Sequence, residues 1–402
     1  MVYSMLSEHE HLATNRTSSM FEEDVQNNIQ SLRERICNSR VAIIGAAGSI
    51  GFSVVKSIIR FKPAGLALID ISENNLVEVV RDCRSSADIV VPDEFTVLPV
   101  GLGSVEFSRF FRESKPFDYI LNLSAIKHVR SEKNVYCLSR MIDVNISYLA
   151  EFLEELGYSA KKFFSVSSDK AVNPANLMGA SKMVMEKILL GQQKHPFSTA
   201  RFANVAFSDG SLPFGFLKRI EKRQPISSPR DVKRFFISHE EAGHICLLSS
   251  ILGENGDVYF PILKRDDDEK TFSEIAVILL EKIGYEAYEC SSEEEARQDI
   301  EALIAQKKWP CFFFDSDTTG EKGREEFYSA DETLDLESYK HIGVIKHSRN
   351  DIDKKVVAEF LRFVKEAKSN NTIKKSDYVE EFRKVVPTLR HVETGKSLDQ
   401  KM

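Results

Sequence analysis

The stretch that most restricts how this chain can fold is Arg40-Val-Ala-Ile-Ile-Gly-Ala-Ala-Gly-Ser-Ile-Gly51, where an apolar strand runs into three glycines and on into the helical stretch Ser49 to Arg60. Gly45, Gly48 and Gly51 form a G-x-x-G-x-x-G pattern. Glycine permits the tight turn and lets backbone come close to a pyrophosphate, whose charge then rests against the helix N-terminus. Glycines also serve plain turns, so the context has to decide. A second strand, Gly65-Leu-Ala-Leu-Ile-Asp70, follows and ends in a carboxylate at about the 20-residue spacing of a dinucleotide site. An aspartate there accepts hydrogen bonds from adenosine ribose hydroxyls and repels a 2'-phosphate, which predicts NAD over NADP.

The alternation continues. Asn75 to Ser86 reads as helix, Phe95 to Val100 as strand, Ser104 to Ser114 as helix, Tyr119 to Ser124 as strand, and Asn134 to Leu156 as a long helix containing Asn145. Phe163 to Ser167 is the next strand, Gly179 to Leu190 the next helix, and Phe197 to Val205 a further strand. Repetition at this spacing predicts the α/β class, with a Rossmann-like doubly wound parallel sheet, right-handed crossovers and a ligand crevice along the carboxyl ends of the strands.

A composition change at Ser208-Asp-Gly-Ser-Leu-Pro213 marks a boundary. The expected organisation is a tail and helix over 1–37, an NAD-binding domain over 38–207 and a smaller mixed α/β C-terminal domain over 208–402. Residues 1 to 18 lack periodicity and read as mobile. Ser19 and Glu22 read as a capping box for a helix with Phe21, Val25, Ile29, Leu32 and Ile36 on one face, packed on its own domain. Further on, a helix is expected around Glu240 to Leu252, a strand at Gly256 to Phe260, a helix from Thr271 to Gly284 capped by Thr271 and Glu274, a helix from Ser292 to Lys307, and a strand at Trp309 to Phe314. The polar loop from Asp315 to Phe327 reads as a cover over a ligand or as a disordered tip, and one helix is expected after Tyr378.

Composition bounds the partners. The net charge of -7 and pI near 5.8 argue against a nucleic-acid surface, so an anionic ligand must be met by a few placed groups. No apolar run approaches the roughly 20 residues of a membrane span, and no signal-peptide order is present, which predicts a cytoplasmic protein. Six scattered cysteines without a Cys-x-x-Cys pair read as reduced and structural, and no metal site is expected.

The chemistry concentrates in Phe163 to Lys182, FFSVSSDKAVNPANLMGASK. An apolar run stops at a hydroxyl, a carboxylate and an amine, so Ser168, Asp169 and Lys170 emerge on the crevice edge. Lys127 and His128 lie just past another strand end and face the same crevice if the topology holds; a solvated loop is the plainer reading. Beside a nicotinamide, an acid and a base permit transient oxidation of a carbinol followed by proton transfer at the neighbouring carbon. An ordinary Asp-Lys ion pair is the competing reading, because adjacent opposite charges pull each pKa away from such work. Lys182 stands where Tyr-x-x-x-Lys would end, with Met178 in place of the tyrosine.

At these residues the sequence resembles the nucleotide-sugar 4,6-dehydratases of the extended short-chain dehydrogenase/reductase superfamily, in the polysaccharide-biosynthesis group. GAAGSIG, LSAIKHV, SSDKAVNP, MGASK, RFANV and the KRFF segment match that group in order, from about Val41 to Leu263. The stretch near 286–345 departs from the shortest members and could reshape the sugar-nucleotide domain. The resemblance implies a tightly held, recycled NAD, cradled by Gly45, Ala47, Gly48, Ser49, Ile50, Gly51, Asp70, Ser124 and Ala125. It implies that Lys170 removes the C5 proton, Asp169 protonates the departing C6 hydroxyl, Ser168 hydrogen-bonds the C4 oxygen and Lys182 holds the nicotinamide ribose. Lys127, His128, Asn173 and Asn204 would line the sugar and diphosphate, and Arg234 would contact the nucleotide. A methionine-containing subset acts on UDP-N-acetylglucosamine, so Met178 does not imply a dead enzyme, though it leaves open what accepts the C4 hydroxyl proton. A homodimer or higher even oligomer, paired through Asn134 to Leu156 and Gly179 to Leu190, is also implied. A nucleotide-sugar 4-epimerase or 4-reductase is the second reading, and a non-catalytic nucleotide-sugar-binding protein the third.

Overall fold

The computed structural model describes residues 9–264, 268–298, 300–317, 320–346, 352–369 and 372–393. The strands, in chain order, are β1 Arg40–Ile44, β2 Gly65–Ile69, β3 Glu94–Leu98, β4 Tyr119–Asn122, β5 Lys162–Ser168, β6 Phe197–Phe202, β7 Asn204–Val205, β8 Ile226–Pro229, β9 Lys233–Ile237, β10 Asp257–Pro261, β11 Glu269–Thr271, β12 Glu286–Glu289, β13 Lys308–Phe314, β14 Thr333–Asp335 and β15 Ile342–Lys346. Nine of them form one sheet in the order β14-β15-β10-β6-β5-β4-β1-β2-β3. The run from β3 to β10 is parallel, and β15 and β14 close one edge antiparallel. The α/β, Rossmann-like class expected from the alternation is what forms. Strand order reverses between β1 and β4, the point at which a doubly wound sheet places its ligand crevice, at the carboxyl ends of the strands.

The core strands are apolar on both faces, as helices on each side require: all five residues of β2 and all four of β4 are buried. The helices Ser49–Ile59 and His239–Leu252 cover one face, and Gly243 is what lets them touch. A Cβ at Gly243 would lie 2.8 Å from Ser57 Oγ and 2.9 Å from the Ser53 carbonyl oxygen. The second half of the chain therefore does not stand apart. Helix His239–Leu252 and strands β10, β14 and β15 all lie beyond residue 208 and return to the large sheet, because β10 completes the parallel ladder beside β6. Two small sheets, β11-β9-β7 and β12-β13-β8, make the remainder.

Three local differences from the sequence reading have clear causes. The helix expected from Ser19 splits into Glu22–Asn27 and Ile29–Ile36 with no capping box, because Ser19 Oγ is held by His244 Nδ1 at 2.8 Å and accepts the Phe21 amide. Residues 9 to 16 are ordered rather than loose: Leu12 and Ala13 are buried, and Arg16 pairs with Glu241 and Asp268. The long helix around Asn145 runs as Val135–Ile142, a wider π turn Asp143–Ser147, and Tyr148–Glu155. Helices Lys354–Ala367 and Lys375–Val385 share a hydrophobic core with helix Leu177–Gly191, which consequently has no exposed residue.

One buried ion network ties these parts together. Arg201 on β6 is 1% exposed and pairs with Glu186 at 2.7 Å and Glu332 at 2.8 Å, while also donating to the Phe327 carbonyl at 3.1 Å. Replacing Arg201 by Met strands two carboxylates in the interior, and the expected loss is about 3–5 kcal/mol, read as a lower denaturant midpoint. Breaking the exposed Arg223–Glu301 pair should leave that midpoint where it is.

Candidate functional site

The glycine turn is built by contacts that only some of its glycines need. Gly45 has φ +80°, and a Cβ there would fall 2.6 Å from the Ser124 amide nitrogen, so the turn lies directly against the end of β4. A Cβ on Gly51 would fall 1.9 Å from the Gly45 carbonyl oxygen. Gly48 differs: its Cβ would meet nothing nearer than 3.6 Å. Protein packing does not require glycine at 48, whereas a ligand backed onto the loop would. Gly48 is also the N-cap of helix Ser49–Ile59 and carries no capping side chain, which leaves the first-turn amides of Ser49, Ile50 and Gly51 to an anion. Asp70 braces the turn, with one oxygen accepting the Ala47 amide at 3.0 Å and the other the Ser72 amide at 2.9 Å. Ser124 donates to Asn122, Ala125 follows it beyond β4, and Ser49 Oγ accepts the Asp209 amide from past residue 208. These features fit a dinucleotide.

The second cluster forms where β5 stops. Ser168 caps the short turn Asp169–Ala171 by accepting the Lys170 amide, and its hydroxyl donates to Asp169 Oδ1 at 2.7 Å. Lys170 Nζ donates to the same oxygen at 3.0 Å and to Asn204 Oδ1 at 3.1 Å. Asp169 is 1% exposed, and its Oδ2 makes no hydrogen bond. Gly179 lets the following helix press onto this turn, since a Cβ there would lie 2.2 Å from the Lys170 carbonyl oxygen. Lys182 is buried with Nζ on the Val166 carbonyl at 3.0 Å, and burial drops its pKa to about 8. Met178 is packed in the core one turn earlier. Asn145, noted in the sequence only as a helix residue, uses its amide to join the Ile126 backbone to Ser181. The π turn around it is the local signal that such a residue is placed for a purpose.

Other expected residues are placed as follows. Lys127 is exposed, with Nζ 3.4 Å from Ser208 Oγ, and the His128 ring abuts Gly210. Asn173 takes φ +42° just past the Lys170 turn. Arg234 is 4% exposed and already engaged: it pairs with Glu321 and donates to the Gly323 carbonyl at 3.3 Å. Residues Gly320 to Phe327 thus cover the site, the first of the two readings offered for that loop. Asn176 donates to the Gly320 carbonyl at 2.9 Å, and Lys322 Nζ reaches the Val172 carbonyl at 3.1 Å. Glu325 brings a second buried carboxyl toward Asp169 and Lys170, and burial raises its pKa. Sequence reasoning missed Glu321 and Glu325; the available signal was a charged run ending on an apolar anchor, Phe327, whose ring stacks on Phe260 and meets Phe235 at a tilt.

Comparison with known proteins gives the family and the fold. The model of a family described as "Polysaccharide biosynthesis protein" matches residues 41–347. An uncharacterized membrane protein of Methanocaldococcus jannaschii is 28% identical over 76% of this chain and 85% of its own length. The capsular polysaccharide biosynthesis protein CapD of Staphylococcus aureus is 28% identical over 57% of this chain, which spans 38% of that protein. An inverting UDP-N-acetylglucosamine 4,6-dehydratase of Campylobacter jejuni is 26% identical over 55% of this chain and 66% of its own length. Among solved structures, Pen from Bacillus thuringiensis superposes with a TM-score of 0.61 at 19% identity, covering 84% of this chain and 99% of that one. The dTDP-glucose 4,6-dehydratase DesIV from Streptomyces venezuelae gives 0.55 at 16% identity, covering 82% and 98%. Among the described residues, no helix is long and apolar enough to cross a membrane.

Two outcomes follow from the site geometry. Gly51→Ala should cost about 1–3 kcal/mol from overpacking, whereas Gly48→Ala should cost no more than about 1 kcal/mol as an altered N-cap yet weaken dinucleotide retention, checked by thermal unfolding and by titration with the dinucleotide. Glu132 is the second. Its Oε2 accepts the Leu177 amide at 2.7 Å, and burial pushes its pKa up to about 7. The unfolded chain loses this proton near the ordinary carboxylate value while the folded chain keeps it, so stability should fall as pH rises from there through about 7, and Glu132→Gln should remove that slope.

Proposed function

The chain belongs to the polysaccharide biosynthesis protein family, and from that premise we propose that it is a nucleotide-sugar 4,6-dehydratase acting on UDP-N-acetylglucosamine. The observation that carries the reading is the hydrogen-bonded Ser168–Asp169–Lys170 cluster, with Asp169 buried, at the carboxyl end of β5, two strands along the sheet from the glycine turn after β1. A bound, recycled NAD would supply hydride acceptance from C4 and hydride return to C6. The residues would supply the rest. Ser168 orients the C4 oxygen and Lys182 the nicotinamide ribose. Lys170 takes the proton as the C5–H bond breaks, the electron pair forms C5=C6, and the C6–O bond breaks as Asp169 protonates the hydroxyl, which leaves as water. Lys127, His128, Asn173 and Asn204 border the sugar and diphosphate.

Arg234 supports the reading in a changed form. A nucleotide that reaches it must first displace Glu321. The even oligomer remains part of the proposal on a narrower surface, since helix Leu177–Gly191 is enclosed by the chain's own C-terminal helices; the pairing surface is then Val135–Glu155, where Tyr136 is 84% exposed. A cytoplasmic site of action belongs to the same proposal. Incubation with UDP-N-acetylglucosamine and no added cofactor should give a product lighter by one water, and Asp169→Asn or Lys170→Ala should slow it about 10²–10⁴-fold. Retained mass with an inverted C4 would instead identify a 4-epimerase, and no turnover with any UDP- or GDP-linked N-acetylhexosamine would end the dehydratase reading.

A further inference from the structure

We propose that Glu325 is a proton-holding member of the Asp169–Lys170 site, a role that rests on the dehydratase reading above. Glu325 lies between β13 and β14, far along the chain from Ser168, yet it is 5% exposed and is tied to the turn after Lys170 through Lys322, whose Nζ lies 3.7 Å from its Oε2 and 3.1 Å from the Val172 carbonyl oxygen. Its Oε2 makes no hydrogen bond, and neither does Oδ2 of Asp169. A buried carboxyl oxygen with no hydrogen bond at Asp169, and one at Glu325 met only by the longer ion pair to Lys322, are costly, and chemistry that moves protons gives them a use. The charged groups facing Glu325 are Lys170 and Asp169 from the end of β5, Arg234 from β9 and Lys322 from its own segment. Arg234 Nη2 is 4.0 Å away and Lys322 Nζ 3.7 Å, so neither is a hydrogen-bonded partner, and Lys170 is the charge that acts on it most strongly. Phe327 and Arg201 hold the segment from below, which makes the position of the carboxyl a built one.

The proton balance of the reaction shows what such a group would do. At rest, Asp169 and Lys170 form an ion pair, and Lys170 as an ammonium cannot be a base. Oxidation at C4 frees the hydroxyl proton. Ser168 Oγ accepts it while donating its own to Asp169 Oδ1 along the existing 2.7 Å bond. Asp169 is then neutral, and the charge that held Lys170 in the ammonium form is gone. Lys170 can now shed a proton, which Met178 cannot take and Glu325 can. With Asp169 and Glu325 protonated and Lys170 neutral, the acid and the base needed for water loss coexist. The C5 proton passes to Lys170, and the Asp169 proton leaves in the water. As hydride reaches C6, Lys170 returns its proton to C5 and recovers one from Glu325. Every group ends as it began, and the C4 hydroxyl proton is the one carried off in water. Glu325 starts and ends this sequence as a carboxylate, and burial raises its affinity for the proton it takes from Lys170 and holds in between.

The test compares wild type, Glu325→Gln and Glu325→Asp for water loss and for deuterium uptake at C5 in deuterated water, read by mass spectrometry across the neutral and alkaline range. The wild-type rate should be flat with pH. Glu325→Gln should be slower by about 100-fold near neutrality and should regain rate about tenfold per pH unit, because Lys170 must then lose its proton to solvent hydroxide; Glu325→Asp should restore most of the rate and the flat profile. A Glu325→Gln protein with wild-type rate, or with a uniform loss and an unchanged pH profile, overturns the role while leaving the dehydratase reading in place. Absence of water loss in the wild type removes both together.

Discussion

The Arg201 guanidinium is the interaction on which the rest of the structure hangs. It sits on β6 in the middle of the sheet, and its two carboxylate partners come from helix Leu177–Gly191 and from the segment before β14. Ser167, next to the turn Asp169–Ala171, donates to the same Glu186 that Arg201 holds. One buried cation therefore fixes the helix that carries Met178 and Lys182 and the base of the segment that covers Asp169 and Lys170. Such a pair is weak evidence for net stability, since desolvating three charges offsets much of their attraction. Its contribution is registry, because the covering segment has no second strand pairing over residues 320 to 327 to set its position.

Much of this was legible in the sequence because the signals are local. Strand, glycine turn and helix are all written into Arg40 to Arg60, and the alternation to Val205 follows from period and length alone. The capping box of Thr271 and Glu274 forms as read, since both halves of the signal lie within four residues. The box expected at Ser19 fails for a non-local reason: His244, more than two hundred residues away, takes the hydroxyl. The same distinction separates Ser168, Asp169 and Lys170, which adjacency reveals, from Glu325, which only the folded chain brings to them. The return of β10, β14 and β15 to the large sheet belongs with the second kind, as a strand's partner is not encoded in its own residues.

The covering segment also alters what the anion-binding residues mean. In an open crevice, Arg234 would be a waiting cation. Here it is buried against Glu321, and Asn176 and Val172 hold the same segment through backbone carbonyl and lysine contacts. On the proposed function, substrate entry would exchange one anion for another, so the net electrostatic gain would be the difference between a diphosphate and a carboxylate at the same guanidinium. An acidic chain with a net charge of -7 can bind an anionic nucleotide on such terms, because the local exchange sets the outcome more than the overall field does.

Met178 brings these strands of argument to one point. A tyrosine four residues before Lys182 would give the site an ionisable group that needs no second carboxyl. With a buried thioether there, the site keeps one hydroxyl-carboxyl pair, Ser168 with Asp169, and the more distant carboxyl of Glu325 around Lys170. Adjacent Asp169 and Lys170 stabilise each other's charged forms, which on its own opposes acid-base work. On the proposed function, a proton passed from the substrate to Asp169 would remove that opposition. On the proposed function the arrangement would be idle until the C4 hydroxyl gives up its proton, and the order of the chemical steps would be set by the charges of the site.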